Sequence, residues 1–162
     1  MLSMIEMIDE DNREKVSDFF ANHWGTTEMV LSSGVYHCDE LDGYVYKSAK
    51  GEIVGLVTYI RHNEDICEVI SLDSVYEGQG IGSSLMCVIE EKARELGAKA
   101  VQLITTNDNL HALSFYQKRG YVLKAVYPNA VEKARTVKPS IPFVASNGIP
   151  IRDEWLLYKL LI

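Results

Sequence analysis

Apolar and polar positions in this chain change period several times, and each change marks an element. Residues 2–8 read as a short first strand, and Asp9 to Asn12 then offer side chains able to cap a helix. Val16, Phe19 and Phe20 fall on one stripe at i, i+3 and i+4, which predicts a helix ending near His23. Over residues 24–41 the pattern weakens. Gly25, Thr26, Thr27, Ser32, Ser33 and Gly34 are scattered among Met29, Val30 and Leu31, which reads as a loop or a short helix. Residues 43–48, 52–61 and 66–72 follow as three consecutive strands, joined by an Ala49-Lys50-Gly51 turn and a polar His62-Asn63-Glu64-Asp65 connection. Connections this short imply an antiparallel meander. Val54, Leu56 and Thr58 alternate with Ile53, Gly55, Val57 and Tyr59, so this strand is apolar on both faces and is expected to sit centrally in a sheet covered on both sides.

The β-branched run from Val69 then passes through Gly78, Gly80 and Gly82 into helical spacing. Leu85, Met86, Val88, Ile89, Ala93 and Leu96 share one side, Glu90, Glu91, Lys92, Arg94 and Glu95 lie mostly on the other, and Gly97 supplies the stop. Residues 98–103 return to a strand. Strand, helix and strand in succession imply a right-handed parallel crossover, and therefore a mixed sheet. Asn109 is a good N-cap for another helix, on which Ala112, Phe115, Tyr116 and Arg119 lie close together before Gly120 ends it and residues 121–127 resume a strand. Residues 128–150 hold all four prolines and an Asn147-Gly148 turn, with room for a short helix at 129–137. No regular strand runs through such a segment, which reads as an inserted loop before a final strand at 154–161. Its Lys133, Arg135 and Lys138 suit an anionic ligand such as a phosphate, with a solvated loop face as the plainer reading.

At 162 residues the chain suits one domain, 1–162, burying roughly 68–70% of its unfolded surface. Sixteen basic against twenty-three acidic residues leave a net charge of −7, which opposes binding to nucleic acid or an anionic membrane and is compatible with a cationic substrate. Cys38, Cys67 and Cys87 are odd in number and lack Cys-x-x-Cys spacing, so free buried thiols are expected rather than disulfides or a metal site. An acidic N-terminus and the lack of a long apolar run point to a cytoplasmic chain without signal peptide or membrane span.

The chemistry concentrates at the glycine turn. Without Cβ atoms the backbone there can take φ > 0, and the first N–H groups of the following helix point outward where the helix dipole favours an anion. A phosphate or diphosphate fits such a place; a plain turn is the alternative. No Lys-Ser/Thr pair follows the glycines, which excludes a Walker A loop, and a dinucleotide fingerprint would need its third glycine at Leu85. Gly80-Ile81-Gly82 after Tyr76-Glu77-Gly78-Gln79 instead resembles the acyl-CoA signature of the GNAT N-acetyltransferase family, Arg/Gln-x-x-Gly-x-Gly/Ala. Glu77 departs from that pattern. A carboxylate ~4 Å from a phosphate costs about 1 kcal/mol even at bulk-water dielectric, so its side chain is expected to turn away. Asn109-x-x-Ala112-x-x-x-Tyr116-x-x-x-Gly120-Tyr121 resembles the family's second signature at every marked position.

The resemblance implies an α/β (α+β) protein of the GNAT acyl-CoA N-acyltransferase fold: a mixed, twisted sheet of about seven strands, helices on both faces, and a splay between the fourth and fifth strands for acyl-CoA. It further implies that amides of Gln79, Gly80, Ile81, Gly82 and Ser83 hold the CoA diphosphate, that backbone at Ile70, Ser71 and Leu72 pairs with pantetheine, and that Asn109 and Ala112 contact that arm. Tyr116 would be the general acid at the thioester sulfur. The implied reaction is direct transfer of an acetyl group from acetyl-CoA to a primary amine of a small molecule or peptide. Glu68, on the strand before the glycine turn, is the leading general base, followed by Asp73 and then Glu28. Trp24, Glu28 and His37 border the acceptor by position only. The alternative is a non-catalytic acetyl-CoA-binding sensor or scaffold, which Glu77 favours. No nucleic-acid or membrane partner is expected, and the chain is a monomer or a homodimer.

Overall fold

In the computed structural model, which describes residues 4–162, the alternating segments become strands and the 3.6-period segments helices. The order is β1 (Ile5–Met7), α1 (Arg13–Trp24), β2 (Glu28–Leu31), β3 (Gly34–His37), β4 (Asp42–Lys47), β5 (Ile53–Arg61), β6 (Ile66–Ser74), α2 (Ile81–Glu95), β7 (Ala100–Thr106), α3 (Leu110–Lys118), β8 (Val122–Tyr127), α4 (Ala130–Val137) and β9 (Glu154–Leu160). Among the described residues, seven strands form one mixed sheet in the order β1-β4-β5-β6-β7-β9-β8. Of the expected first strand, Leu2 and Ser3 lie outside the described residues. The chain divides into two compact units, one built from residues up to Met29, His37–Val101 and Leu161–Ile162, the other from Val30–Tyr36 and Gln102–Leu160.

In the first unit β1, β4, β5 and β6 form the antiparallel meander. Residues directly opposite in such a ladder share a face. Gly55 of β5 lies under α2: a Cβ there would stand 2.5 Å from Ile81 Cγ2 and 3.4 Å from Leu85 Cδ1. Alternation puts Val57, Tyr59 and Arg61 on the same face, while Leu56, Thr58 and Ile60 face the other way. Gly43 is held to glycine by its neighbours, because a Cβ would fall 2.0 Å from the Val57 carbonyl oxygen. The α1 stripe is buried through Val16, Phe19 and Phe20, and Gly25 ends the helix at φ 74°, its N–H bonded to the Ala21 carbonyl. The expected side-chain cap is absent. Asn12 Oδ1 accepts from Asp9 N–H and its Nδ2 donates to the Met7 carbonyl, so this side chain shapes the turn before the helix.

Two expectations fail on burial. Glu90, expected on the polar side of α2, is buried, and Cys87, expected to be buried, is exposed while Cys38 and Cys67 are buried. A third fails on type. Most of the weakly patterned residues, expected as a loop or a short helix, form the β2–β3 hairpin, and only Cys38–Glu40 is a short helix, of 3-10 type. Met29-Val30-Leu31 and Val35-Tyr36 favour strands, and Ser32-Ser33 leaves little length for anything but a tight turn.

In the second unit β8 pairs with β9, with a register shift between Leu123 and Ala125. α4 occupies the short helical stretch expected inside the proline-rich segment. The remainder of that segment is closely bonded. Val144 and Pro150 form an isolated bridge, and Arg135 donates to the carbonyls of Ile141, Pro142 and Ile151 while its guanidinium lies 4.4 Å over the Phe143 ring. Arg135 is thus committed inside its own loop, which corrects its reading as an anion contact.

Candidate functional site

β6 ends at Ser74, whose hydroxyl donates to the Tyr76 carbonyl at 2.7 Å, and an exposed turn leads into α2. Gly78 and Gly80 take φ of 74° and 75°, and a Cβ at either would meet nothing within 4 Å. Backbone conformation, not crowding, therefore selects glycine here, and the space beside the turn is open. Gly82 lies inside the first turn of α2. Gly80 is the N-cap, makes no side-chain cap bond, and is followed by no acidic residue in the first turn. The amides that open this helix carry positive character with no carboxylate of their own turn to neutralise it. Ile81 is buried against Gly55 and fixes the turn to the sheet. These features fit a diphosphate. Glu77 is exposed.

β6 carries the polar groups. Thr58 pairs with Ser71 and Tyr59 with Val69, so Ile70 is an extra residue, a β-bulge. Register places Glu68, Ser71 and Asp73 opposite Ile60, Thr58 and Leu56, a polar row on the face away from α2. Thr58 Oγ1 and Ser71 Oγ are 2.5 Å apart, and both residues are buried. Glu68 is wholly buried, with His62 Nδ1 3.8 Å from its Oε1. Asp73 receives a hydrogen bond from the Trp24 side chain, while its Oδ2 is buried without a partner. Burial pushes its carboxyl above the usual range, opposed by the Trp24 bond and by the nearby His23. Trp24, named by position alone, is thus joined to the second-ranked base. His37 is exposed and Glu28 half-buried.

In the second unit Asn109 caps α3, its Oδ1 accepting from Ala112 N–H at 3.2 Å. Tyr116 is buried edge-on between Phe115, 5.1 Å away, and Tyr121, 5.8 Å away. Three polar residues here escaped the sequence reading. Asn107 Oδ1 accepts from the N–H groups of Arg152 and Asp153, and its Nδ2 donates to the Pro150 carbonyl. Asp153 accepts from Asn129 N–H, and the Arg152 guanidinium beside it holds its carboxyl below the usual range. Buried Glu154 accepts from both the N–H and the hydroxyl of Ser32 in the β2–β3 turn. No short-range pattern marks these pairs, since Ser32 and Glu154 stand 122 residues apart.

The sequence profile of the acetyltransferase (GNAT) family matches residues 6–121, a span that contains the glycine turn and the Asn109 helix. The chain belongs to the GNAT acetyltransferase family. This GNAT chain is 54% identical over 153 residues to the uncharacterized protein YdhI of Bacillus subtilis (strain 168), covering 94% of this chain and 95% of that one. It is 58% identical over 147 residues to the uncharacterized protein YxbD of the same strain, covering 91% and 92%. A Bacillus subtilis acetyltransferase solved in complex with CoA shares the fold at a TM-score of 0.69 and 22% identity, over 98% of each chain. Among the described residues no helix of this GNAT chain is long and apolar enough to cross a membrane.

Proposed function

We propose that residues 1–162 act as one acetyl-CoA-dependent N-acetyltransferase domain in a reducing, cytosolic setting, moving an acetyl group to the primary amine of a small molecule or peptide. The observation that carries this reading is the pair of left-handed glycines opening an uncapped helix in a chain of the GNAT family. The amides of Gln79, Gly80, Ile81, Gly82 and Ser83 hold the diphosphate. Backbone at Ile70, the bulged residue with no partner on β5, and at Ser71 and Leu72 beside it lies along the pantetheine arm, which Asn109 and Ala112 also contact.

Bound acetyl-CoA supplies an activated acyl thioester. The Leu72 N–H donates to the reacting carbonyl as negative charge develops there, and holding amine and carbonyl in near-attack geometry supplies much of the acceleration. The Tyr116 hydroxyl gives its proton to the departing sulfur. Glu68 takes the proton lost by the amine. Because its carboxylate is wholly buried, that proton passes along the polar row, for which the paired hydroxyls of Ser71 and Thr58 stand on the same face.

Calorimetric titration with acetyl-CoA, CoA and ATP, on wild type and Gly80→Glu, tests the cofactor. Binding of both CoA species but not ATP, lost in the variant, supports the cradle; no CoA binding at millimolar concentration refutes it. Thiol release across an amine panel then separates an enzyme from an acetyl-CoA sensor, the reading that the exposed Glu77 favours. Full turnover by Tyr116→Phe at saturating acetyl-CoA would remove that hydroxyl from the mechanism.

A further inference from the structure

The sheet face that α2 covers extends beyond the helix. Tyr59 and Arg61 alternate onto this face of β5, and the antiparallel register sets Asp42 of β4 opposite Tyr59 and Met7 of β1 opposite Tyr44. Packing is tight where Ile81 and Leu85 meet Gly55. At the other end of the helix Lys92, and Leu96 just beyond it, stand over Asp42, Tyr59 and Arg61 across a cavity of ≈ 390 Å³, with Met7, 60% exposed, at its mouth. Fifteen helical residues rise ~22 Å, so this cavity is well separated from the glycine turn at the start of α2.

We propose that this cavity is a second ligand site, for a free α-amino acid with an apolar side chain: its ammonium on the Asp42 carboxylate, its carboxylate between Arg61 and Lys92, its side chain against Met7 and Leu96. The volume suits a small molecule, and a few charged groups set into a partly apolar wall are the usual composition of such sites. Charge of both signs decides the class. A simple anion would leave Asp42 facing like charge, and a simple amine would do the same to Arg61 and Lys92, whereas a zwitterion pairs with both. Each cation has one neighbour of its own. Arg61 Nη2 donates to the Glu64 carbonyl at 2.9 Å, and Lys92 Nζ lies 3.9 Å from Glu95 Oε2. Burial, and then the negative charges of Glu95, Asp42 and Glu91, push the Tyr44 hydroxyl on the same sheet face upward. Burial, with the nearby Tyr44 and Asp42, pushes the Tyr59 hydroxyl up to about 12, so it stays a neutral donor in the wall at any working pH.

The test is calorimetric or chemical-shift titration of the full chain with three probes: L-leucine, L-leucinamide (no carboxylate) and 4-methylpentanoate (no ammonium). Leucine should bind saturably at millimolar concentration or tighter, and each analogue at least tenfold more weakly, the ratio expected when a charge-assisted contact is lost. Asp42→Asn should reduce leucine to the level of 4-methylpentanoate, and Arg61→Gln to that of leucinamide, with circular dichroism and thermal unfolding showing both variants folded. No saturation by about 20 mM leucine overturns the proposal, as does equal binding of all three probes. Leucine binding that survives Asp42→Asn but is lost in Gly80→Glu also overturns it, by placing the ligand elsewhere. None of these readouts requires turnover, so the site stands or falls apart from the acetyl-transfer reading.

Discussion

Gly55→Ala probes the link between sheet packing and the glycine turn. The new Cβ would stand 2.5 Å from Ile81 Cγ2 and 3.0 Å from the Asp73 carbonyl oxygen. Carbon atoms in contact normally lie ~3.5–4.0 Å apart, so Ile81 must retreat by about 1 Å or the strand must bend. Overpacking of this kind costs about 1–3 kcal/mol. At ~2–4 °C per kcal/mol for a chain of this size, the melting temperature should fall by about 2–12 °C. Ile81 is the first residue of α2, so its retreat carries the helix-opening amides with it, and acetyl-CoA should bind roughly tenfold more weakly, the equivalent of one or two hydrogen bonds. Ile81→Leu removes the Cγ2 branch. In that background Gly55→Ala should cost at least about 1 kcal/mol less, a coupling read by thermal unfolding of the four proteins of a double-mutant cycle. Equal losses in both backgrounds, or a loss below about 0.5 kcal/mol in wild type, would refute the reasoning.

Other consequences follow in each unit. Asn107→Ala deletes two accepted bonds and one donated bond and should lower urea stability by about 1–3 kcal/mol, with Asn107→Asp, which keeps the acceptors, losing less. Glu154→Ala frees the Ser32 turn, so limited proteolysis near residues 32–33 should accelerate before global unfolding does, while Glu154→Gln retains an acceptor and should stay closer to wild type. The Arg152 hydrogen bond, then Asn129 N–H, lower the folded-state pKa of Asp153, so its stabilisation is present above the unfolded carboxylate value of about 4 and is lost as pH falls through the lower folded value. Asp153→Asn should flatten that acid limb of the stability profile. Asp73 has the opposite sign: its raised folded-state pKa makes stability fall as pH rises from the unfolded value through the folded one, and Asp73→Asn should remove that decline.

Much of the fold was legible because local chemistry dictates it. The meander follows from alternation and short polar connections, α2 from its apolar stripe, and both helix stops from Gly97 and Gly120, which take φ of 80° and 92°. The glycine turn was legible for the same reason, since Gly78 and Gly80 are chosen for conformations that other residues adopt only with strain. What escaped depends on partners distant in sequence. The β2–β3 hairpin consists of four-residue strands too short to show a period, and its turn is held by Glu154. The Trp24–Asp73 bond joins the end of a helix to the end of a strand, and nothing near either residue announces the other. Glu90 and Arg135 resemble solvated charges in the sequence, yet one is buried and the other clasps three carbonyls.

The bulge in β6 gives this strand one residue more than its ladder with β5 requires. With Val69 opposite Tyr59 and Ser71 opposite Thr58, removing Ile70 would leave those cross-strand partners in register and every other side chain on its present face. At other positions in the strand a deletion would turn the following residues inside out. Length at residue 70 is therefore set apart from the demands of the β5–β6 ladder, and a chain shortened there offers a way to separate what that ladder needs from what the proposed acyl transfer needs.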